Sequence, residues 1–191
     1  MTHIRVTLLS ALLTTASGAT VADDNNPIYL NAAMGTTSYD SNADNTFGLK
    51  AQAGYDLSTV AAFKALPERL KISAEGSYTI YGKESKDLPG NSELSTTLHG
   101  IGVGARLGYQ LTSNTTVYGI SGMELMRSEA KLEVNGKEVS SAKSDIKNNI
   151  YFGAGAQYVL DNFKGSDVAI AAEYKLVDNI SFLSAGISFG Y

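Results

Sequence analysis

ISFLSAGISFGY, residues 180–191, is the stretch whose reading decides the fold. From Leu183 every second residue is apolar: Leu183, Ala185, Ile187, Phe189, Tyr191. Between them stand Ser184, Gly186, Ser188 and Gly190. A period of two places the first set on one face of a β-strand and the second on the other. In a soluble protein so oily a terminal strand would be an unprotected edge and a template for aggregation. A strand that closes a barrel inside a bilayer carries no such liability. The stretch is therefore expected to pair with the first strand, around residues 28–34.

Seven further segments repeat the pattern. They are expected near residues 28–37, 46–56, 70–81, 97–111, from 115 onward, 149–160 and 167–177. In the second, Phe47, Leu49, Ala51, Ala53 and Tyr55 alternate with Gly48, Lys50, Gln52 and Gly54. In the sixth, Ile150, Phe152, Ala154, Ala156, Tyr158 and Leu160 alternate with Tyr151, Gly153, Gly155 and Gln157. The fifth is the least regular: Val117, Met123 and Leu125 share a face, but Ile120 falls on the other, which predicts a bulge or a shifted register. It is expected to run on through residues 131–134 to Asn135-Gly136, a strong hairpin signal. The stretch GKESKDLPGNSELS, residues 82–95, reads as a solvated loop. The long turn 57–69 is expected to be either a short helical turn through residue 65, capped by Ser58 or Thr59 and stopped by Pro67, or a plain long turn.

The polar face decides between a soluble and a membrane barrel. It consists of glycines interleaved with Lys50, Lys71, Glu75, Arg106, Glu124, Glu173 and Lys175. That is a poor soluble surface but a sensible lining for a narrow barrel, where glycine leaves room for long side chains and opposite charges pair. The aromatic residues agree. With both termini periplasmic, Phe47, Tyr78, Phe152 and Tyr174 fall near the outer ends of their strands on the oily face. Tyr55, Tyr109, Tyr158 and Tyr191 fall near the inner ends. Eight strand steps from Phe47 to Tyr55, tilted about 40°, span roughly 20 Å, close to the height between the aromatic girdles of outer-membrane barrels. The fold expected is an all-β, eight-stranded antiparallel up-and-down transmembrane barrel.

Composition sets outer bounds. The chain has 191 residues, 19 Gly and 11 Tyr but 3 Pro, no Trp and no Cys. No disulfide or thiolate-metal site is possible, and no apolar run reaches the ~18 residues of a spanning helix. Residues 1–22 read as an export leader: Arg5, then the short apolar core VTLLSALL, then small residues with cleavage after Ala19 or Ala22. The barrel domain is then expected over 23–191. The whole chain carries a formal charge of −4, with no basic cluster for nucleic acid.

The strand grammar, YFGAGAQYVL and the terminal SAGISFGY resemble the small outer-membrane β-barrel families: the OmpA-like transmembrane domain, OmpX/Ail and the opacity-type surface proteins. The likeness covers about residues 27–191. Tyr191 stands where these families usually end in Phe, and no peptidoglycan-binding domain follows. The resemblance implies an outer-membrane location among lipid and lipopolysaccharide. It also implies delivery to the barrel-assembly machinery through the last strand, a monomeric state, and contact with host or envelope proteins through the loops, in an adhesion or colonisation role.

The candidate sites are few. Lys50, Glu75, Arg106, Glu124, Glu173 and Lys175 are expected to form a luminal ion-pair network, either a structural plug or the path of a narrow, porin-like conductor. Lys131, Val134, Asn135, Gly136, Lys137 and Val139 mark a hairpin whose backbone edge could take a partner strand. His99, in THGIG, lacks the surroundings of the barrel enzymes that modify lipid A, and no catalytic set is assigned. Asp40, Asn42 and Asp44 echo half a calcium loop, but Asn45 replaces the needed glycine and no Glu closes the loop. No metal or cofactor is expected.

Overall fold

The computed structural model describes residues 27–39, 45–63, 65–163 and 166–190. The expected leader, the Asp40, Asn42 and Asp44 positions, and Tyr191 lie outside them. The strand segments are β1 (Ile28–Tyr39), β2 (Thr46–Asp56), β3 (Leu70–Leu88), β4 (Ser92–Gln110), β5 (Thr115–Val134), β6 (Lys137–Lys143), β7 (Lys147–Phe163), β8 (Ser166–Val177) and β9 (Ile180–Phe189). Every paired neighbour is antiparallel. β5 pairs with β7 along its first half, Thr115↔Tyr158 to Met126↔Lys147, and with β6 along its second, Glu129↔Lys143 to Val134↔Lys137. β6 and β7 are thus one wall strand interrupted at residues 144–146, and the wall has eight strands. β1 closes it on β9, from Leu30↔Phe189 to Tyr39↔Ile180. The terminal stretch pairs where the alternation requires.

The registers fix the barrel's shape. Ile28 pairs with Tyr55, then in turn come Ala74, Ala105, Ser121, Phe152, Leu176 and Ser181, and Ser181 pairs with Ser38 of β1. One circuit therefore returns ten residues further along β1 (38 against 28). Ten residues of rise over eight strand spacings give a tilt of about 40°. At that size and tilt the interior is just wide enough for side chains to fill it.

Alternation sorts the side chains. Outward lie the large apolar residues, among them Leu30, Phe47, Ile101, Val103, Ile150, Phe152 and Leu183, all exposed. At mid-height the outward face carries small residues, exposed and meeting as cross-strand pairs: Ala32–Ala51, Ala53–Gly76, Ala74–Ala105, Ala105–Ser121, Gly119–Ala154, Ala156–Ala172 and Ala172–Ala185. Inward, glycine gives way to bulk. A Cβ on Gly155 would stand 2.5 Å from the ring of Tyr118, and one on Gly122 would stand 2.7 Å from that of Tyr151.

Three expectations are corrected. β5 has no bulge within the wall: its registers with β4 and β7 run unbroken. Ile120 faces the lumen and is buried there in an apolar cluster with Tyr81, Tyr118, Met126, Tyr151, Val177 and Phe182. The pattern around Ile120 looked broken because the lumen is partly apolar. Residues 82–95 are not a solvated loop: β3 and β4 pair through them to Leu88↔Ser92, with a shift at Gly82, whose φ is +110°. Cross-strand pairing sustains charged residues in strands that alternation alone does not reveal. Finally, the long turn holds two short 3-10 turns, Leu57–Thr59 and Ala61–Phe63. The cap is Asp56, whose carboxylate accepts from the backbone N–H of Ser58.

Candidate functional site

β3 to β6 continue past the point where the other strands stop. β2 leaves β3 at Leu49↔Ile80, and β8 turns into β9 at Val177↔Ile180. By contrast β3–β4 pairing reaches Leu88↔Ser92, β4–β5 reaches Ser92↔Val134 and β5–β6 reaches Val134↔Lys137. The result is a four-stranded sheet standing beyond the rim at the end opposite the start of β1 and the end of β9. Two tight turns tip it. Asn135 (φ 52°) and Gly136 (φ 74°) both adopt the left-handed geometry of a type I′ hairpin, and the N–H of Asn135 donates to the carbonyl of Asn91 at 2.9 Å.

The sheet's outward face is charged and laced with ion pairs. Lys83 meets Glu93 at 3.3 Å, Lys131 meets Glu138 at 3.2 Å, and Lys143 meets Glu129 at 3.7 Å. A hydrogen bond from Ser85, then Lys83, holds the Glu93 carboxyl below its usual range; the bond to Glu138 raises Lys131. These groups are open to water, so each pair adds little stability. Every residue of β6 is exposed, and among the described residues β6 pairs with β5 alone. Of the expected hairpin residues, Lys131 and Val134 lie on β5, Asn135 and Gly136 form the turn, and Lys137 and Val139 lie on β6. Val139 is the extra residue at a register shift between Leu132↔Ser140 and Glu133↔Glu138, and is 57% exposed.

All six charged residues expected inside are buried in the lumen. Three cations face three carboxylates. In the half nearer the termini, Lys50 Nζ lies 2.6 Å from Glu173 Oε1, Arg106 pairs with Glu75, and Arg106 Nη2 lies 3.7 Å from Glu173 Oε2. Tyr29 and Gln52 donate to Glu75, and the Arg106 guanidinium stacks 3.9 Å over the Tyr118 ring. Nearer the rim, Lys175 Nζ meets Glu124 Oε2 at 2.8 Å, Tyr81 OH donates to that same oxygen at 2.7 Å, and Lys175 lies 4.7 Å over the Tyr151 ring. Above this pair Phe182 packs edge-on against Tyr81 at 5.6 Å, with Met126, Val177, Leu98 and Ile180 around them. A charge moved into so dry a place is costly unless paired, which is why cations and carboxylates match in number.

Sequence reasoning named the charges and missed the tyrosines that hold them. Tyr29, Tyr81, Tyr118 and Tyr151 are buried with the network. The usable signal was their parity: each is an aromatic residue on the polar face of its strand, which carries glycines beside Tyr29, Tyr118 and Tyr151 and Ser73, Ser77 and Thr79 beside Tyr81.

On the wall's outside, Phe47, Tyr78, Phe152 and Tyr174 are exposed, as are Tyr55, Tyr109 and Tyr158. The last three pair with Ile28, Leu70 and Thr115, the first residues of β1, β3 and β5, so they ring the end that carries the termini. His99 also lies on the outer face, its Nδ1 2.9 Å from the Tyr78 hydroxyl. Among the described residues no group of three His, Cys, Asp or Glu could hold a metal ion.

A closed eight-stranded barrel with an oily exterior and a charged, filled interior is the architecture of small outer-membrane proteins. The family described as outer membrane protein beta-barrel domain matches residues 7–191, and the chain belongs to it. It is an outer-membrane β-barrel. No curated protein matches the chain in sequence. Among solved structures it is similar to Neisserial surface protein A, at 17% identity and a TM-score of 0.54, over 86% of this chain and 96% of that one. It is also similar to Ail, the attachment invasion locus protein of Yersinia pestis, at 15% identity and 0.49, over 86% and 95%. A third is the outer membrane enzyme PagL, at 13% identity and 0.41, over 84% and 97%. These likenesses concern the fold alone.

Proposed function

We propose that this protein is a non-enzymatic, partner-binding barrel of the outer membrane, exported by a leader over residues 1–22. The projecting sheet lies outside the cell and captures an extended segment of a host or envelope protein by strand addition to β6. The observation that carries the reading is the β6 edge: seven exposed residues, paired on one side only among the described residues, held beyond the rim by strands rooted in the wall. Such an edge offers unpaired backbone N–H and C=O groups, which give affinity without a pocket. The lumen supports the sheet rather than serving transport, because its charges are paired and its outer end is packed with apolar side chains. His99 is engaged by Tyr78 on the lipid-facing side, which suits an interfacial role better than chemistry.

A binding screen of host-surface and envelope proteins against wild type and a variant lacking residues 131–144 tests the reading. Ligands retained by wild type and lost by the variant support it; ligands held equally by both would sink it.

The second reading, a narrow conductor, draws on the line of charges along the lumen. Reproducible single-channel steps from the refolded protein in planar bilayers would favour it, and a silent bilayer the filled-lumen reading.

A further inference from the structure

The projecting sheet has two unlike faces, and the one turned toward the barrel mouth is apolar. β4 and β5 pass from the wall into the projection without a register shift, so their lumen-facing parity continues upward. Leu98, which packs against the luminal apolar cluster, is followed on that face by Thr96, Leu94 and Ser92. Met126 is followed by Ser128, Ala130, Leu132 and Val134. The shift at Gly82 brings Glu84, Lys86 and Leu88 of β3 onto the same face. Three cross-strand rows result: Glu84–Thr96–Ala130–Ala142, Lys86–Leu94–Leu132–Ser140 and Leu88–Ser92–Val134–Lys137. The apolar side chains sit mainly on the two middle strands, and Leu94 is 38% exposed.

The charges at the margins indicate what would cover this strip. Lys86 stands on one outer strand and Lys137 on the other, both exposed, with exposed Glu84 beside Lys86 in the row nearer the barrel. Neither makes an ion pair among the described residues, whereas Lys83, Lys131 and Lys143 on the opposite face are all paired. Three strand spacings separate the columns of Lys86 and Lys137, roughly 14 Å, and the six steps from Ser128 to Val134 run roughly 20 Å. A strip of that size is as wide as one α-helix with its side chains and as long as about 14 helical residues.

We propose that this face seats an acidic amphipathic helix of a second protein: its apolar stripe lies on Leu94, Leu132 and Val134, and its flanking carboxylates meet Lys86 and Lys137. This rests on reading the projecting sheet as a binding surface, and it adds a second site on that sheet, its inner face, distinct from the β6 edge and with a helical occupant. A helix carrying lysines in place of those carboxylates would meet like charge at Lys86 and Lys137, so the site discriminates by sign as well as by shape.

The test uses the full barrel in nanodiscs and two synthetic amphipathic peptides of about 14 residues, identical in their leucines, one with glutamates and one with lysines at the flanking positions. The glutamate peptide is expected to bind and the lysine peptide not. K86E/K137E should weaken the glutamate peptide by about tenfold or more and admit the lysine peptide. L94N/L132N should abolish binding of the glutamate peptide, with the heat-modifiable gel shift confirming that each variant is folded. Equal binding of the two peptides, or equal competition by phosphatidylglycerol vesicles for wild type and K86E/K137E, overturns the proposal. Loss of peptide binding on removing residues 131–144, with K86E/K137E unchanged, overturns the face assignment and leaves the projecting sheet as a binding surface. Binding unchanged in both variants overturns the face proposal alone, and strand capture at β6 then stands or falls with the ligand screen.

Discussion

Glu124 and Lys175 form the simplest part of the luminal network, a buried pair at 2.8 Å with Tyr81 donating to the same carboxylate oxygen. Removing one member leaves the other charged and unpaired where no water reaches it. Glu124→Ala is expected to cost about 3–5 kcal/mol in reversible urea unfolding from lipid vesicles, while E124L/K175M recovers most of that loss. A double variant no more stable than the single one would mean that the pair is not the interaction Lys175 depends on. The glycines on the same face carry a different demand, for space. Gly155→Val would drive a side chain into the Tyr118 ring and the Ala172 carbonyl, each 2.5 Å from a Cβ at that position. Overpacking of this kind costs about 1–3 kcal/mol, read by the same unfolding experiment.

At the scale of elements, the projecting sheet stands or falls with its turns. Gly136 holds a φ of +74° that a β-branched residue adopts poorly. Gly136→Val is expected to fray β6 from β5 while leaving the wall intact. Limited proteolysis should then cut within residues 131–144 with the heat-modifiable gel shift unchanged; cleavage no faster than in wild type would show that the turn is not what holds the hairpin. The turn was legible in Asn135-Gly136, since Asn and Gly are the residues that best tolerate its two left-handed dihedrals. The strand character of residues 82–88 was not, because their charges are sustained by partners on β4 that are neighbours only in the folded sheet.

For the whole molecule, the small-residue waist sets how the barrel meets lipid. Ala172 lies at mid-height, flanked across the strands by Ala156 and Ala185, so an arginine there has no short route to the interface. Ala172→Arg is expected to cost about 2–4 kcal/mol, and Thr36→Arg near the far rim about 0–1 kcal/mol. Equal costs at the two positions in vesicle unfolding would contradict the placement of the membrane.

By itself the sequence determined the strand count, the faces, the location of the oily surface and the identity of the six buried charges. Each of these follows from a period of two, which is a local property of the chain. What only the tertiary structure decided is non-local. It joined Lys50 to Glu173 across 123 positions and Lys175 to Glu124, drew Ile120 and four tyrosines into the same lumen, and carried β3 to β6 past the rim. Alternation states which way a side chain points. The register of eight strands around a closed wall states what it meets there.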